Sequence, residues 1–370
     1  MKYIITKLVS LLRRIANKIE YEFLKKNNKS GKMEESLPTI IFHAGSREHP
    51  ITHVSAFSYG NAGDSILPVA LRDLWHLGKE TLSWKSQHIY PVVDDSIVSQ
   101  INATCGVIVG GGGLFLKDTN ENNISGWQWP CSIEMLEKIK VPLVLFAVGY
   151  NRFRGQDEFE PCFNDSIVAF ARKAEYIGLR NTGSINAIKN YLPQELHTKL
   201  RYQPCMTTFL SHLYPDLCNY QEKENFVAVN AAFDRSHQRF GENIGNVLTD
   251  IARVAKSVSK HYPIKFYSHM PSDDALFPFL QSLGVKFEVV RLNNIHPSEI
   301  VKAYAKPKLV IGMRGHAQMI PFGCNTPLVS VVSHNKMQWF VDDIGKPHWG
   351  VDVLYPTFGV DLEKRTFEAL

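Results

Sequence analysis

From Leu37 onward, short apolar runs rich in β-branched residues alternate with amphipathic helical stretches, a pattern that restricts the chain to βα units around parallel sheets. The first half offers strands at Thr39 to Phe42, His53 to Phe57, Gly106 to Val109, Pro142 to Val148 and Glu175 to Leu179. The second half repeats the style at Phe226 to Asn230, Ile264 to Tyr267, Val285 to Val290, Leu309 to Ile311 and Leu328 to Val332, with helical patterns such as Ile244 to Lys260 between them. No sequence repeat accompanies the shared architecture. Prolines and polar residues interrupt the periodicity near Cys205 to Glu224. The expected organisation is a basic amphipathic helix and linker over residues 1–36, one Rossmann-like domain over 37–210 and a second over 211–370. The expected fold is α/β, two doubly wound Rossmann-like domains facing a cleft, with ligands beyond the carboxyl ends of the strands.

At 370 residues, 44% hydrophobic and 21% charged, the chain has ample length and apolar content for two cores, which excludes a disordered or fibrous protein. Its six cysteines form no C-x-x-C pair, so neither a zinc site nor a disulfide framework is indicated, and a reducing cytoplasm is the expected compartment. The formal charge of +5 is concentrated: residues 1–37 hold nine Lys or Arg against four Asp or Glu, and the rest of the chain balances 32 against 32. A body without net charge argues against nucleic acid as a partner.

In the basic segment Ile4, Leu8, Leu11, Ile15, Ile19 and Phe23 recur at spacings of three or four, with Lys7, Arg13, Arg14 and Lys18 mostly off that stripe. Charges break the apolar run too early for a spanning helix, and no small-residue cleavage site follows, so transmembrane and signal-peptide readings both fail. Two readings stand. One is an interfacial helix docking peripherally on the anionic inner face of the membrane; the other is a helix packed on its own domain or on a partner. Residues 25–35, KKNNKSGKMEE, read as a flexible polar linker.

The loops behind the strands carry the candidate chemistry. In SYGNAGDSI, residues 58–66, the glycines permit tight turns, and Asp64 and Ser65 suit the cap of a following helix. GGGGLF, residues 110–115, leaves no side chain between the backbone and whatever lies above it, a ligand or a packed neighbour. It lacks the G-x-G-x-x-G spacing of a dinucleotide site, and the P-loop pattern is absent. Arg180 ends one strand and is followed by Asn181-Thr182-Gly183-Ser184, a helix start. Behind the strand ending at Ile311, GMRGHAQMIPFG places Arg314 and His316 one residue apart, and Ser333-His334-Asn335-Lys336 follows the strand ending at Val332. Three strand-to-helix junctions thus offer Arg180, Arg314 and Lys336, each beside helix N-terminal N–H groups and a positive dipole end. Together they describe an anion site. No cluster with metal-ligand spacing occurs, and no metal is expected.

In these residues the chain resembles the polysaccharide pyruvyl transferase family over roughly residues 50–345. A G-N-x-G-D loop matches Gly60 to Asp64, a G-G-G-G-L segment matches Gly110 to Leu114, a strand-end arginine before a Ser-containing helix matches Arg180, and R-x-H-x-x-x-x-P/A-x-G matches Arg314 to Gly323. The last, with its downstream lysine, is the most specific. Gly315 stands where many members have leucine, and Met206-Thr207-Thr208 replaces a D-P-A-like turn, which leaves one expected acid without a counterpart. The resemblance implies a fold similar to B-type glycosyltransferases. The implied activity is transfer of the enolpyruvyl group of phosphoenolpyruvate to a sugar diol as a cyclic ketal, in capsule or exopolysaccharide biosynthesis, with no cofactor beyond the donor substrate.

Phosphoenolpyruvate carries a phosphate and a carboxylate, which planar arginines and a point-charge lysine suit, so Arg180, Arg314 and Lys336 are the expected anion ligands, with Gly111, Gly112 and Asn61 lining the site. Ketal formation requires protonation of the methylene carbon, attack of one sugar hydroxyl at C2, loss of phosphate and closure by the second hydroxyl. His316 is the expected general acid. Asp64 either orients or deprotonates an acceptor hydroxyl or serves as a helix cap. His269 and Asp273 either line the acceptor side or form a turn with a capping Asp, and Trp127 and Trp129 belong to an ordinary surface lid or stack on a pyranose face. The acceptor expected is a lipid-linked oligosaccharide. A rival reading, a B-type glycosyltransferase using a nucleotide-sugar donor, calls for an acidic ribose clamp after the late strand, and Asn335 to Asp343 contains none. A third, a non-catalytic assembly or lipid-binding protein, is disfavoured because three cations and a histidine stand together.

Overall fold

The computed structural model describes residues 50–76, 82–218 and 222–370; the basic N-terminal helix, the linker and the strand expected at Thr39 to Phe42 lie outside the described residues. The chain divides into two compact units. The first takes the described part of Met1–Ala56 with Leu71–Asn151 and Glu158–Pro204, and the second takes Phe57–Ala70, Arg152–Asp157 and Cys205–Leu370. Two short segments of the first half, 57–70 and 152–157, therefore count with the second unit.

The first unit holds a six-stranded sheet in the order β2-β1-β3-β4-β5-β6. Its strands are β1 (Ile51–Ser55), β2 (Trp84–His88), β3 (Val107–Phe115), β4 (Leu143–Tyr150), β5 (Tyr176–Leu179) and β6 (Leu200–Tyr202). Every pairing is parallel. Parallel sheets need both faces covered, which is why β1 and β4 are buried at every position and β4, LVLFAVGY, reads as a nearly unbroken apolar run. β2, WKSQH, escaped the sequence reading because it is an edge strand with a half-exposed, polar face, and β6 has only three residues.

Trp127 and Trp129 belong to the core of this unit, each 1% exposed. Their rings meet at 5.9 Å, and Trp127 lies 5.1 Å from Phe115 and 5.9 Å from Phe170. The Trp127 indole N–H donates to Ser166 Oγ at 3.2 Å, satisfying the polar handle that a buried indole carries. Both the surface lid and the stacking on a sugar are thereby overturned: NNISGWQWP reads polar around its tryptophans, but burying two indoles outweighs leaving them in water by several kcal/mol, at about 25 cal/mol per Å².

The second unit repeats the plan with order β12-β11-β10-β7-β8-β9, again all parallel. Its strands are β7 (Glu224–Val229), β8 (Ile264–Ser268), β9 (Phe287–Arg291), β10 (Pro307–Gly312), β11 (Leu328–Val332) and β12 (Gly350–Asp352). Helix Ile244–Val258 buries Val247, Leu248, Ile251, Ala252, Val254, Ala255 and Val258, one apolar face in a core cluster that includes Val227, Phe266 and Leu309. Such a helix is marginal alone; its stability comes from packing that face. From β7 the chain runs outward through β8 and β9, then returns so that β10 pairs on the other side of β7. The order reverses between β7 and β10, and a reversal opens a crevice at the carboxyl ends of those two strands. Among the described residues no helix is long and apolar enough to cross a membrane.

Candidate functional site

The residues behind β10 and β7 fill that crevice of the second unit. β10 is buried at five of its six positions, and a side chain on its last residue, Gly312, would meet the Ala317 carbonyl at 2.3 Å. The strand thus turns tightly into the helix His316–Gly323 and delivers Arg314 to its carboxyl end. Arg314 is 8% exposed. Its backbone N–H donates to Asn230 Oδ1 at 3.1 Å. Its guanidinium donates through Nε to both Asp273 oxygens at 3.0 Å and pairs through Nη2 with Asp273 Oδ1 at 2.5 Å and Asp234 Oδ1 at 2.8 Å. Among the described residues these contacts use Nε and Nη2.

Asp273 is fully buried. Burial pushes its carboxyl up, against the pull of Arg314. It is the counter-ion of Arg314, not a residue of the acceptor side. His269 is fully buried as well: its Nε2 meets the Tyr304 hydroxyl at 2.5 Å, its backbone N–H donates to Asp273 Oδ2 at 3.0 Å, and burial drives its pKa well below the ordinary value, helped by Arg314 and His316. A neutral, enclosed imidazole cannot line an acceptor surface. Both assignments fall because the loop after β8 folds inward to meet Arg314.

His316, at the first position of its helix, is partly exposed. A side chain built on Gly63 would lie 2.0 Å from its Nδ1, so the imbidazole ring occupies the volume that the second glycine of G-N-A-G-D leaves empty. Its Nε2 faces Cys205 Sγ at 3.9 Å. The helix Ala62–His76 is capped by Asn61, whose Oδ1 accepts from the Gly63 N–H at 2.9 Å, while the Ser65 hydroxyl donates to the Ser58 and Asn61 carbonyls, both at 3.1 Å. The cap expected from Asp64 and Ser65 is therefore supplied by Asn61. Asp64 sits in the first helical turn, where burial pushes its carboxyl up to about 6 while Arg314 and Lys336 pull it down. Lys336, in the first turn of helix Asn335–Asp343, places its Cε 3.7 Å from where a Gly315 side chain would begin. Asn61, Asp64, Arg314, His316 and Lys336, drawn from three distant stretches of sequence, thus belong to one locality of the second unit.

Four further residues join them unannounced. Behind β7 comes FDRSHQRF, in which Arg235 adopts a left-handed backbone (φ 55°) at the start of helix Ser236–Phe240. Asp234 accepts from Arg235 Nη1 and Arg239 Nη2, each at 3.1 Å, in addition to pairing with Arg314. Burial pushes the Asp234 carboxyl up, but Arg239, Arg314 and Arg235 outweigh it and hold the group well below the carboxylate range. Arg239 also donates to Ser333 Oγ at 3.0 Å. Phe153 lies at the centre: Arg239, Arg235 and Lys336 approach its ring at 5.0, 5.3 and 5.8 Å, and His334 packs on it at 4.2 Å. Four cations, Arg235, Arg239, Arg314 and Lys336, thus stand among three carboxylates, Asp64, Asp234 and Asp273, and the surplus of one positive charge favours an anion. The strand-end rule applied to β7 would have found Asp234 and Arg235; Phe153 carries no comparable sequence signal.

The first unit holds Arg180 and the glycine segment. Arg180 follows β5, is 6% exposed, and crosses the backbone where a side chain on Gly149 would meet its Nε at 2.1 Å. Asn181 caps the helix Thr182–Lys189 by accepting from the Ser184 N–H at 2.7 Å, so the helix start expected behind Arg180 is present. Gly111 and Gly112 lie within β3. The segment is held by His53, whose Nε2 donates to the Gly110 carbonyl at 2.7 Å while its Nδ1 accepts from Arg72 Nε at 3.2 Å. Burial lowers the His53 pKa to about 3, so the ring stays neutral. Among the described residues no three His, Cys, Asp or Glu side chains are placed to hold a metal ion.

The sequence model of the family described as polysaccharide pyruvyl transferase matches residues 14–335. Comparison with curated proteins yields no significant match. Among solved structures the chain is similar to the UDP-GlcNAc 2-epimerase of Methanocaldococcus jannaschii in complex with UDP-GlcNAc and UDP, at 11% identity and a TM-score of 0.51 over 87% of this chain and 92% of that one. It is similar also to S. aureus MnaA with UDP, at 11% identity and a TM-score of 0.52 over 86% and 87% of the two chains. At such identity the likeness concerns the fold alone: two doubly wound units of the B-type glycosyltransferase kind.

Proposed function

The chain belongs to the polysaccharide pyruvyl transferase family, and on that premise we propose that it moves the enolpyruvyl group of phosphoenolpyruvate onto a sugar diol, forming a pyruvate ketal and releasing phosphate. The observation that carries this reading is the gathering of Arg314, His316, Lys336 and Asp64 in one locality of one unit, with one positive charge in surplus once Arg235, Arg239, Asp234 and Asp273 are counted. Donor phosphate and carboxylate are anions, and charge-assisted bonds from Arg314, Lys336 and Arg235 suit them. On the first unit, Arg180 offers the same chemistry. We assign no metal or cofactor a part.

The diol brings two hydroxyl protons. One equivalent ends on the methylene carbon, which becomes the methyl group, and the other leaves with phosphate as hydrogen phosphate. His316 delivers the proton to the methylene carbon; C2 then takes the first sugar oxygen, the C–O bond to phosphate breaks, and the second oxygen closes the ring. A carboxyl held near 6 is mostly ionised at neutral pH yet close enough to exchange protons, so Asp64 accepts the hydrogen of an attacking hydroxyl. The acceptor on this reading is a lipid-linked oligosaccharide of capsule or exopolysaccharide synthesis, brought close by the basic N-terminal segment.

The test is phosphate release from phosphoenolpyruvate that depends on an added sugar acceptor, beside thermal-shift titrations with phosphoenolpyruvate, UDP-sugars and GDP-sugars. We expect phosphoenolpyruvate alone to raise the melting temperature; stabilisation by a nucleotide sugar instead would transfer the site to glycosyl donors. His316→Ala should lower kcat by about 100-fold or more while phosphoenolpyruvate affinity stays within several-fold, because a proton donor acts in the transition state. Asp64→Asn should remove the limb of the kcat profile that rises through about pH 6.

A further inference from the structure

Cys218 and Cys324 are free thiols, far apart in sequence, that meet inside the second unit. Cys218 closes the short helix Pro215–Cys218, and Cys324 follows the last residue of helix His316–Gly323. Their sulfurs stand within hydrogen-bonding reach of each other. Both are buried, Cys218 at 8% exposure and Cys324 at none. The Cys324 thiol hydrogen has two acceptors in reach, the Cys218 sulfur and the Val301 carbonyl at 3.8 Å. Beside the pair stands Lys223, whose Nζ donates to the Ala305 carbonyl at 2.7 Å, to Thr326 Oγ1 at 2.9 Å and to the Cys324 carbonyl at 3.3 Å, so the ammonium is pinned there. The hydrogen bond from Cys324 lowers the pKa of the Cys218 thiol, against burial and with help from Lys223, while burial drives that of Cys324 well up. The two sulfurs are therefore unequal: the nucleophile is the one nearer solvent, and its neighbour keeps the proton. A thiol so lowered beside a cation is of the reactive kind, whereas a lone thiol in apolar surroundings is inert.

We propose that Cys218 and Cys324 are a redox modification site, oxidised to a reversible disulfide by a small peroxide. The inference is independent of the reaction assigned to the anion site. The Cys218 thiolate attacks one oxygen of hydrogen peroxide; the O–O bond breaks, Cys218 becomes a sulfenic acid, and the other oxygen leaves as hydroxide, which takes up the proton that the thiol shed and becomes water. The Cys324 sulfur then attacks the Cys218 sulfur, the S–O bond breaks, and the sulfenic oxygen leaves as a second water with the Cys324 proton. Two thiols lose two electrons, and one peroxide takes them up. The new bond ties Pro215–Cys218 to the end of the helix that begins at His316. The same stretch of chain already touches that helix end, since a side chain on Gly323 would meet the Thr207 carbonyl at 2.0 Å.

The test is peptide mapping of the reduced full-length protein after titration with hydrogen peroxide, with remaining thiols alkylated under denaturing conditions. The expected result is a peptide pair joining Cys218 to Cys324 that dithiothreitol removes. Cys324→Ala should stop at a Cys218 sulfenic acid that dimedone traps, and Cys218→Ala should slow the oxidation of Cys324 at least tenfold. Cys105 and Cys162, only partly buried, report that the oxidant has acted. If they are oxidised while Cys218 and Cys324 are both still alkylated, the inference is overturned. It is overturned equally if Cys218 of the wild-type protein proceeds to a sulfinic acid without the cross-link, or if Cys324 reacts as fast in Cys218→Ala as in the wild type. The wild-type map decides alone should a variant fail to fold.

Discussion

The His316 imidazole occupies the place of a missing side chain on Gly63, with Nδ1 2.0 Å from where that Cβ would stand. Gly63 lies in the first turn of a helix, where alanine is normally better by about 1 kcal/mol. The obstacle is a partly exposed ring that can swing away, not backbone. Gly63→Ala should therefore hold or raise the urea midpoint while lowering turnover at least tenfold by displacing His316. Unaltered turnover would show that the ring position does not matter to the reaction.

Arg314 and Asp273 form a buried pair 41 residues apart in sequence. Removing one member of such a pair leaves the other charged and enclosed, at a cost of about 3–5 kcal/mol. Arg314→Ala is accordingly expected to lose stability as well as substrate affinity, which binding data alone would misread. In a double-mutant cycle by urea denaturation, Arg314→Met combined with Asp273→Asn should be at least about 1 kcal/mol less destabilising than the two single changes added together. Simple additivity would mean that the pair contributes nothing.

His53 ties stability to pH. Its folded pKa of about 3 lies below the ordinary 6.5, so the unfolded chain binds the proton first and stability is lost as pH falls from about 6.5 toward 3. The slope from this group approaches about 1.4 kcal/mol per pH unit. His53→Gln, whose amide can still donate to the Gly110 carbonyl, should be less stable at pH 8 but show a flatter acid limb in melts between pH 8 and 4. Parallel limbs would remove His53 as their source.

The net charge of residues 1–37 sets the last prediction. Each Lys or Arg near an anionic leaflet contributes about 1 kcal/mol, within a Debye length. Full-length protein should cosediment with phosphatidylserine vesicles at low salt and release at high salt, whereas protein lacking residues 1–30 should stay in solution yet retain turnover on a short water-soluble acceptor. A truncated protein that fails to fold would place the segment in the core instead.

By itself the sequence determined the alternation that makes parallel sheets, because strands buried on both faces must be apolar along their length, as in β4 and β11. It also marked Arg180, Arg314, His316 and Lys336, since a strand end followed by a helix start is a local pattern. Edge strands and three-residue strands, β2, β6 and β12, leave too little apolar signal to read. The tertiary structure alone decided that Asp273 and Asp234 neutralise part of Arg314, that Asn61 rather than Asp64 caps its helix, that Gly63 makes room for His316, and that Trp127 and Trp129 are core. Crossover connections bring strand ends that are far apart in sequence side by side, and ion pairing and close packing depend only on distance in space, which no spacing along the chain records.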